Sequence, residues 1–240
     1  MRPDLPIVHE DEHLVAFDKP AGFAVGRGPG LRGAGNLADI VRERWGAAAA
    51  VVHRLDDEAS GLVLCAKTKV ALDALSGQFQ SKTATVTYEA LTSGCPPVEA
   101  ASIDLSLQEN PEDPRRMATV KRHGYAASTD YRVQNRFARF AQIECRPRTF
   151  RRHQVRVHLA AIGAPILGDA LYGNGAELRL SDLKRGYKGR EEERPLIDRL
   201  ALHAIALTVR HPASGLPLTI NAPLPKDFTV ALRNLEKFGK

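Results

Sequence analysis

Val51-Val52-His53-Arg54-Leu55-Asp56-Asp57-Glu58-Ala59-Ser60-Gly61-Leu62-Val63-Leu64 is the stretch from which the rest of the chain can be read. Two apolar runs, Val51–Leu55 and Leu62–Ala66, read as strands on either side of a polar turn, Asp56–Gly61. Asp56 then stands at the end of an apolar strand, just before the turn. A carboxylate in that place is rigidly held yet open to a cleft, which suits a nucleophile or a general base. A turn-forming Asp is the plainer alternative.

Outward from this stretch, strand-like and helix-like segments alternate. Leu14–Phe17 reads as a short strand closed by the turn Lys19-Pro20-Ala21-Gly22. Asn36 caps a helix with Leu37, Ile40, Val41 and Trp45 on one face, and a second helix follows Thr68 with Leu72, Leu75 and Phe79 aligned. Thr83–Leu91 alternates Val86, Tyr88 and Ala90 with Thr87 and Glu89, the pattern of a half-buried strand, and Phe137–Cys145 is another strand. Val155, Leu159 and Ile162 predict a helix from about His153 to Ile162, ended by Gly163 and Pro165, with Arg152 and Arg156 side by side on its polar flank. Leu207–Val209 and Leu218–Ile220 flank a hairpin turn. The expected fold is α+β, a mixed and largely antiparallel sheet flanked by helices and loops. With no repeat and no low-complexity linker, residues 1–240 read as a single domain, with a short N-terminal arm over 1–12 and a surface-loop insertion over 174–198.

Of 240 residues, 34 are Lys or Arg and 28 Asp or Glu, so the chain carries +6 with His neutral. Arg146, Arg148, Arg151, Arg152 and Arg156 supply +5 of this within a segment that holds no acid. Positive charge focused in this way points to a site that holds phosphates, against the alternative of a solvated basic face. No apolar run approaches a bilayer span, and the N-terminus lacks the apolar centre of a signal peptide. Cys65, Cys95 and Cys145 show no paired spacing and read as reduced thiols of a cytoplasmic protein, forming neither a disulfide frame nor a zinc site. The histidines lack clustered carboxylate or thiolate partners, so no metal is expected. Gly28-Pro29-Gly30-Leu31-Arg32-Gly33 matches a dinucleotide-binding fingerprint. Pro29, however, removes a backbone N–H that such a loop needs, and the second half of the chain is hairpin-like rather than βαβ.

His53-Arg54-Leu55-Asp56 followed by Ser60-Gly61 resembles the HRLD-x-x-T-S-G motif of the RluA-type pseudouridine synthases. Lys19-Pro20-Ala21-Gly22 is similar to that family's K-P-x-G turn, and Tyr88 falls at its active-site tyrosine. His153-Gln154-Val155-Arg156-Val157-His158-Leu159 resembles its H-Q-I-R-x-H-L helix. Gly168-Asp169-Ala170-Leu171-Tyr172-Gly173 and Leu200-Ala201-Leu202-His203-Ala204 resemble its G-D-x-L-Y-G and L-x-L-H-A segments.

The resemblance implies a catalytic domain with a central RNA-binding cleft and no appended S4-type domain, which isomerises uridine to pseudouridine in structured RNA, ribosomal or transfer. No cofactor or metal is implied, and the protein is expected to be a monomer. Asp56 would be the nucleophile, Tyr88 would stack on the uracil, and Arg156 would pair with Asp56. His53 and Arg54 would lie by the flipped nucleotide, while Arg148, Arg151 and Arg152 would hold phosphates. Two departures, Ala59 for a threonine and Phe150 with Arg152 for small residues, are expected to alter substrate entry. Phe150 and Arg152 would then form a lip contacting a flanking nucleotide. A catalytically silent RNA-binding module of the same fold is the alternative function, and a nicotinamide-dependent oxidoreductase a distant one.

Overall fold

The computed structural model describes residues 5–26, 35–184, 186–187, 189 and 192–239. The fingerprint-like Gly28–Gly33 lies outside the described residues. In chain order the elements begin β1 (Ile7–Glu10), β2 (Leu14–Lys19), α1 (Leu37–Trp45), β3 (Ala50–Val51), β4 (Ser60–Ala66) and α2 (Lys69–Gln80). They continue β5 (Thr85–Ser93), β6 (Ala100–Asp104), β7 (Ser106–Glu109), β8 (Met117–Val120), β9 (Ser128–Arg136) and β10 (Phe140–Pro147). The last are α3 (Gln154–Ala161), α4 (Leu180–Leu183), β11 (Leu202–Arg210), β12 (Pro217–Asn221) and α5 (Lys226–Phe238). No helix among the described residues is long and apolar enough to cross a membrane. The chain divides into two compact units, Met1–Thr87 with His203–Pro223, and Tyr88–Leu202 with Leu224–Lys240.

In the first unit the strand order is β1-β2-β4-β11, with β3 beside β4 and β12 beside β11. β2 and β4 are antiparallel, whereas β4 and β11 are parallel, with Ser60 opposite His203 and Gly61 opposite Ala204. Every residue of β4 is buried, as befits a strand covered on both faces. Asn36 caps α1 by accepting from the Asp39 amide, and Thr68 caps α2 by accepting from the Ala71 amide, both as the sequence predicts. The segment expected to be an N-terminal arm carries β1, paired with β2. The strand expected over Val51–Leu55 ends instead at Val51. Beyond it the His53 imidazole, not a backbone carbonyl, accepts the Leu64 amide proton at 3.0 Å.

In the second unit the order is β5-β10-β9-β6, each pair antiparallel, and β7 and β8 form a separate hairpin. β5 is more enclosed than its alternation suggests, since Glu89 is buried along with Tyr88, Ala90 and Leu91. Phe137 belongs to the turn that leads into β10, where its amide bonds the Phe140 carbonyl. Helix α3 buries Gln154 through Leu159, so of the polar flank expected for it Arg156 is interior, while Arg152 precedes the helix and is only half-buried. The stretch expected to be a surface loop over 174–198 contains α4 and is anchored by Leu178 and Ile197, both buried and bridged to each other. Helix α5 buries Phe228, Ala231 and Leu235 along one side.

Candidate active site

Asp56 lies in the first unit, half-buried, in a turn fixed from three directions. The Lys19 ammonium is fully buried and donates to the carbonyls of Pro20 (3.0 Å), Asp57 (2.8 Å) and Ala59 (2.6 Å). Asp57 adds two ties, its carbonyl accepting from the Gly22 amide and its carboxylate from the Val25 amide. On the far side of the turn, Ser60 Oγ and His203 Nδ1 are 2.9 Å apart. Gly61 has φ +108°, and a Cβ on it would stand 2.3 Å from the Ala204 carbonyl oxygen, so no larger residue fits between β4 and β11. The Lys-Pro-x-Gly turn, the Ser-Gly step and the late His-Ala pair thus converge on the loop that carries Asp56. Ala59 is fully buried with its carbonyl on Lys19, which makes its missing hydroxyl a matter of packing rather than of substrate entry.

His53 is anchored by backbone and by an aromatic neighbour. Nε2 accepts from the Leu64 amide, Nδ1 lies 3.2 Å from the Arg54 carbonyl, and the ring stacks on Phe79 at 5.0 Å. Both nitrogens are engaged by backbone, so the substrate contact expected of His53 is replaced by a structural one. Burial pushes its pKa down to about 4, outweighing the Arg54 carbonyl. Arg54 beside it is exposed.

Tyr88 and Arg156 lie in the second unit. Tyr88 is opposite Cys145, and Cys145 is opposite Tyr131, so the three share one face of the sheet. Helix α3 packs on that same face. Its Gln154 amide donates to Ser128 O and Thr129 Oγ1 and accepts from Thr149 Oγ1 and the Arg151 amide. Its His158 joins Thr129 Oγ1 and the Leu105 carbonyl. Arg156 is 2% exposed and makes a two-point ion pair with fully enclosed Asp169, Nε to Oδ2 at 2.8 Å and Nη2 to Oδ1 at 2.9 Å. Asp169 Oδ1 also accepts the Leu171 and Tyr172 amides. Burial raises the Asp169 pKa, but Arg156 and these amides outweigh it and hold the carboxyl below the usual range. Gly168 makes the turn, since a Cβ there would meet the Arg199 carbonyl at 2.1 Å.

The basic run does not form one patch. Arg146 pairs with Glu144 and Arg148 with Asp130. Strand register puts Asp130 and Arg146 on the face opposite Thr129 and α3. Arg152 donates to the Pro114 and Arg115 carbonyls, which makes it a brace for the β7–β8 turn. Arg151 is exposed and lies over Tyr125, an aromatic that is itself 63% exposed. Phe150 is half-buried. Among the described residues no group of three or more His, Cys, Asp or Glu side chains could hold a metal ion. The sequence marks Asp169 and Lys19 only as members of the G-D-x-L-Y-G-like and K-P-x-G-like segments, because nothing local reveals a partner distant in the chain.

A family model described as RNA pseudouridylate synthase matches residues 13–161. The chain is 37% identical to ribosomal large subunit pseudouridine synthase D of Xanthomonas campestris, over 93% of this chain and 68% of that one. It is 33% identical to an RNA pseudouridine synthase of Bacillus subtilis named as uncharacterised, over 98% of this chain and 74% of the relative. Among solved structures, human RNA pseudouridylate synthase domain containing 4 superposes with a TM-score of 0.72 at 27% identity, covering 96% of this chain and 92% of that one. These matches define an RNA-acting isomerase on an α+β scaffold. The chain belongs to the RNA pseudouridylate synthase family, and its reaction is the conversion of uridine to pseudouridine within RNA.

Proposed function

We propose that the substrate is ribosomal RNA of the large subunit and that Asp56 is the nucleophile. The observation that carries the second part is the turn around Asp56. A buried ammonium, a Ser–His pair and a glycine that admits no side chain all hold the turn that carries this one half-buried carboxylate. Such fixation is what a reacting group needs, because positioning lowers the barrier without further movement. The first part rests on the 37% identity to a ribosomal large subunit synthase.

In this reading the N1–C1′ bond breaks, the uracil turns, and C5 bonds C1′. Tyr88 stacks on the ring and Arg156 is the cation of the catalytic set. The exchange is redox-neutral, so it calls for neither cofactor nor metal, and the enzyme works as a cytoplasmic monomer. The target leaves its stack first, at a cost of a few kcal/mol, least in loops. Exposed Arg54 lies beside the flipped nucleotide, exposed Arg151 holds a phosphate, and half-buried Phe150 contacts a flanking nucleotide.

Asp56→Asn tests the assignment. Tritium release from ribosomal RNA labelled at uridine C5 should disappear, while RNA affinity and melting temperature stay near wild type. Substantial residual release would remove Asp56 from its role. Mapping pseudouridines in the RNA of a deletion strain identifies the target, and an unaltered large-subunit RNA would overturn the ribosomal reading.

A further inference from the structure

The β7–β8 hairpin ends in a turn whose charges are unequally matched. Asp113 is gripped by Arg115, Nε to Oδ1 at 2.9 Å and Nη2 to Oδ2 at 2.8 Å. Arg156 is matched by Asp169. Between them stands Arg116, half-buried, to which no carboxylate of the described residues is paired. Its Nε is withdrawn from solvent and has no hydrogen-bond acceptor. A buried donor without an acceptor is a standing cost that native structures rarely leave in place without a use.

The side chain is nevertheless held. Its backbone is pinned on both sides, the Arg116 amide donating to the Asp113 carbonyl at 2.9 Å and the Arg116 carbonyl accepting from Asn110 at 3.0 Å. Arg152 fixes the two carbonyls before it, and the Tyr172 hydroxyl accepts the Met117 amide after it at 2.7 Å. The Arg116 guanidinium lies over the Tyr172 ring, 5.6 Å from its centroid, and the Arg156 guanidinium lies 5.3 Å from the same centroid. Beneath the hairpin, Leu107, Met117, Ala127 and Val157 form a small apolar cluster against which Tyr172 packs. Arg116 is therefore a preorganised cation, within the field of Asp113 but in no ion pair among the described residues, on an aromatic platform that it shares with Arg156.

We propose that Arg116 is a substrate-binding residue that receives a backbone phosphate of the RNA beside the target nucleotide. A planar guanidinium that makes no ion pair and no side-chain hydrogen bond of its own can meet, through its terminal nitrogens rather than the enclosed Nε, a phosphodiester, which offers paired oxygens and one negative charge. The proposal rests on the RNA-modifying reading above. It adds a contact that the basic run from Arg146 to Arg156 did not contain.

The test is the salt dependence of binding to an oligouridylate decamer, followed by fluorescence anisotropy between about 50 and 200 mM salt. Arg116→Gln should flatten the log–log slope by about 0.7, the share of one phosphate on a single strand. Affinity should fall about tenfold, as expected for loss of one charged hydrogen-bonding contact. Arg116→Lys should restore the slope, because it keeps the charge, with affinity between the two. In tritium release from ribosomal RNA, Arg116→Gln should raise KM and leave kcat within a factor of about two. An unchanged slope in Arg116→Gln overturns the proposal. So does a lowered melting temperature and kcat with the slope intact, since that would make Arg116 a packing residue. If the wild-type enzyme turns over no ribosomal RNA, the substrate reading fails, and the binding slope still decides the role of Arg116.

Discussion

His53 shows how a residue that reads as part of a catalytic motif can act through the frame around it. Its ring stands in for a strand partner, accepting the Leu64 amide where β3 has already ended. That bond requires Nε2 to be unprotonated, with Nδ1–H donating to the Arg54 carbonyl. Burial holds the folded-state pKa at about 4 against 6.5 for a free imidazole. The folded protein thus binds fewer protons than the unfolded chain between these values. Stability from neutral His53 is complete above pH 6.5 and drains away as the pH falls toward 4, by about 3 kcal/mol. Urea midpoints should drop over that window, and His53→Gln should flatten the drop even if it lowers stability at pH 7. A wild-type midpoint that stays constant from pH 7 to 4.5 would contradict this account.

Helix α3 is where the motif-bearing side chains become an element. Gln154 and His158 meet at Thr129 of β9, His158 also reaches the Leu105 carbonyl, Arg156 reaches Asp169, and the helix is buried from Gln154 to Leu159. Asp169→Asn keeps an oxygen for the Leu171 and Tyr172 amides but removes the buried negative charge of the Arg156–Asp169 pair. Removing one partner of such a pair costs about 3–5 kcal/mol. Because the Asp169 pKa is depressed, its contribution is present above the usual carboxylate range and fades as the pH falls through it. Chemical denaturation at pH 7 should therefore show the full loss, narrowing under acid conditions, and equal stability of variant and wild type at pH 7 would refute it. The position of α3 and the caps of α1 and α2 were legible because capping and apolar spacing are local signals. The burial of Arg156 was not, since Val155, Leu159 and Ile162 describe one apolar stripe and cannot announce a carboxylate at residue 169. Helix α5 carried a readable signal in Phe228, Ala231 and Leu235, whereas the early end of β3 depended on a side chain replacing backbone.

Across the whole molecule, the concentration of arginine in the sequence becomes a dispersal in space. Arg146 and Arg148 meet Glu144 and Asp130, with Arg146 on the face away from α3, while Arg151 stays exposed over Tyr125. Charge counted along the chain points to the right class of partner, and only the ion pairs formed in the fold separate the arginines that can serve it. Arg151→Gln should reduce the salt slope of RNA binding by about one phosphate contact, and Arg148→Gln should leave it unchanged. Equal reductions in both variants would return the run to a single phosphate-holding patch. The parallel pairing of β4 with β11 has a further consequence, for the order of events during synthesis. A ribosome adds about 5–20 residues per second, so β4 waits on the order of ten seconds before β11 emerges. Throughout that interval the Ser60–Gly61 end of β4 has no Ala204 to lie against, and Ser60 has no His203. The turn that carries Asp56 therefore matures late, and a nascent chain halted before β11 would bear the nucleophile without the frame that aims it.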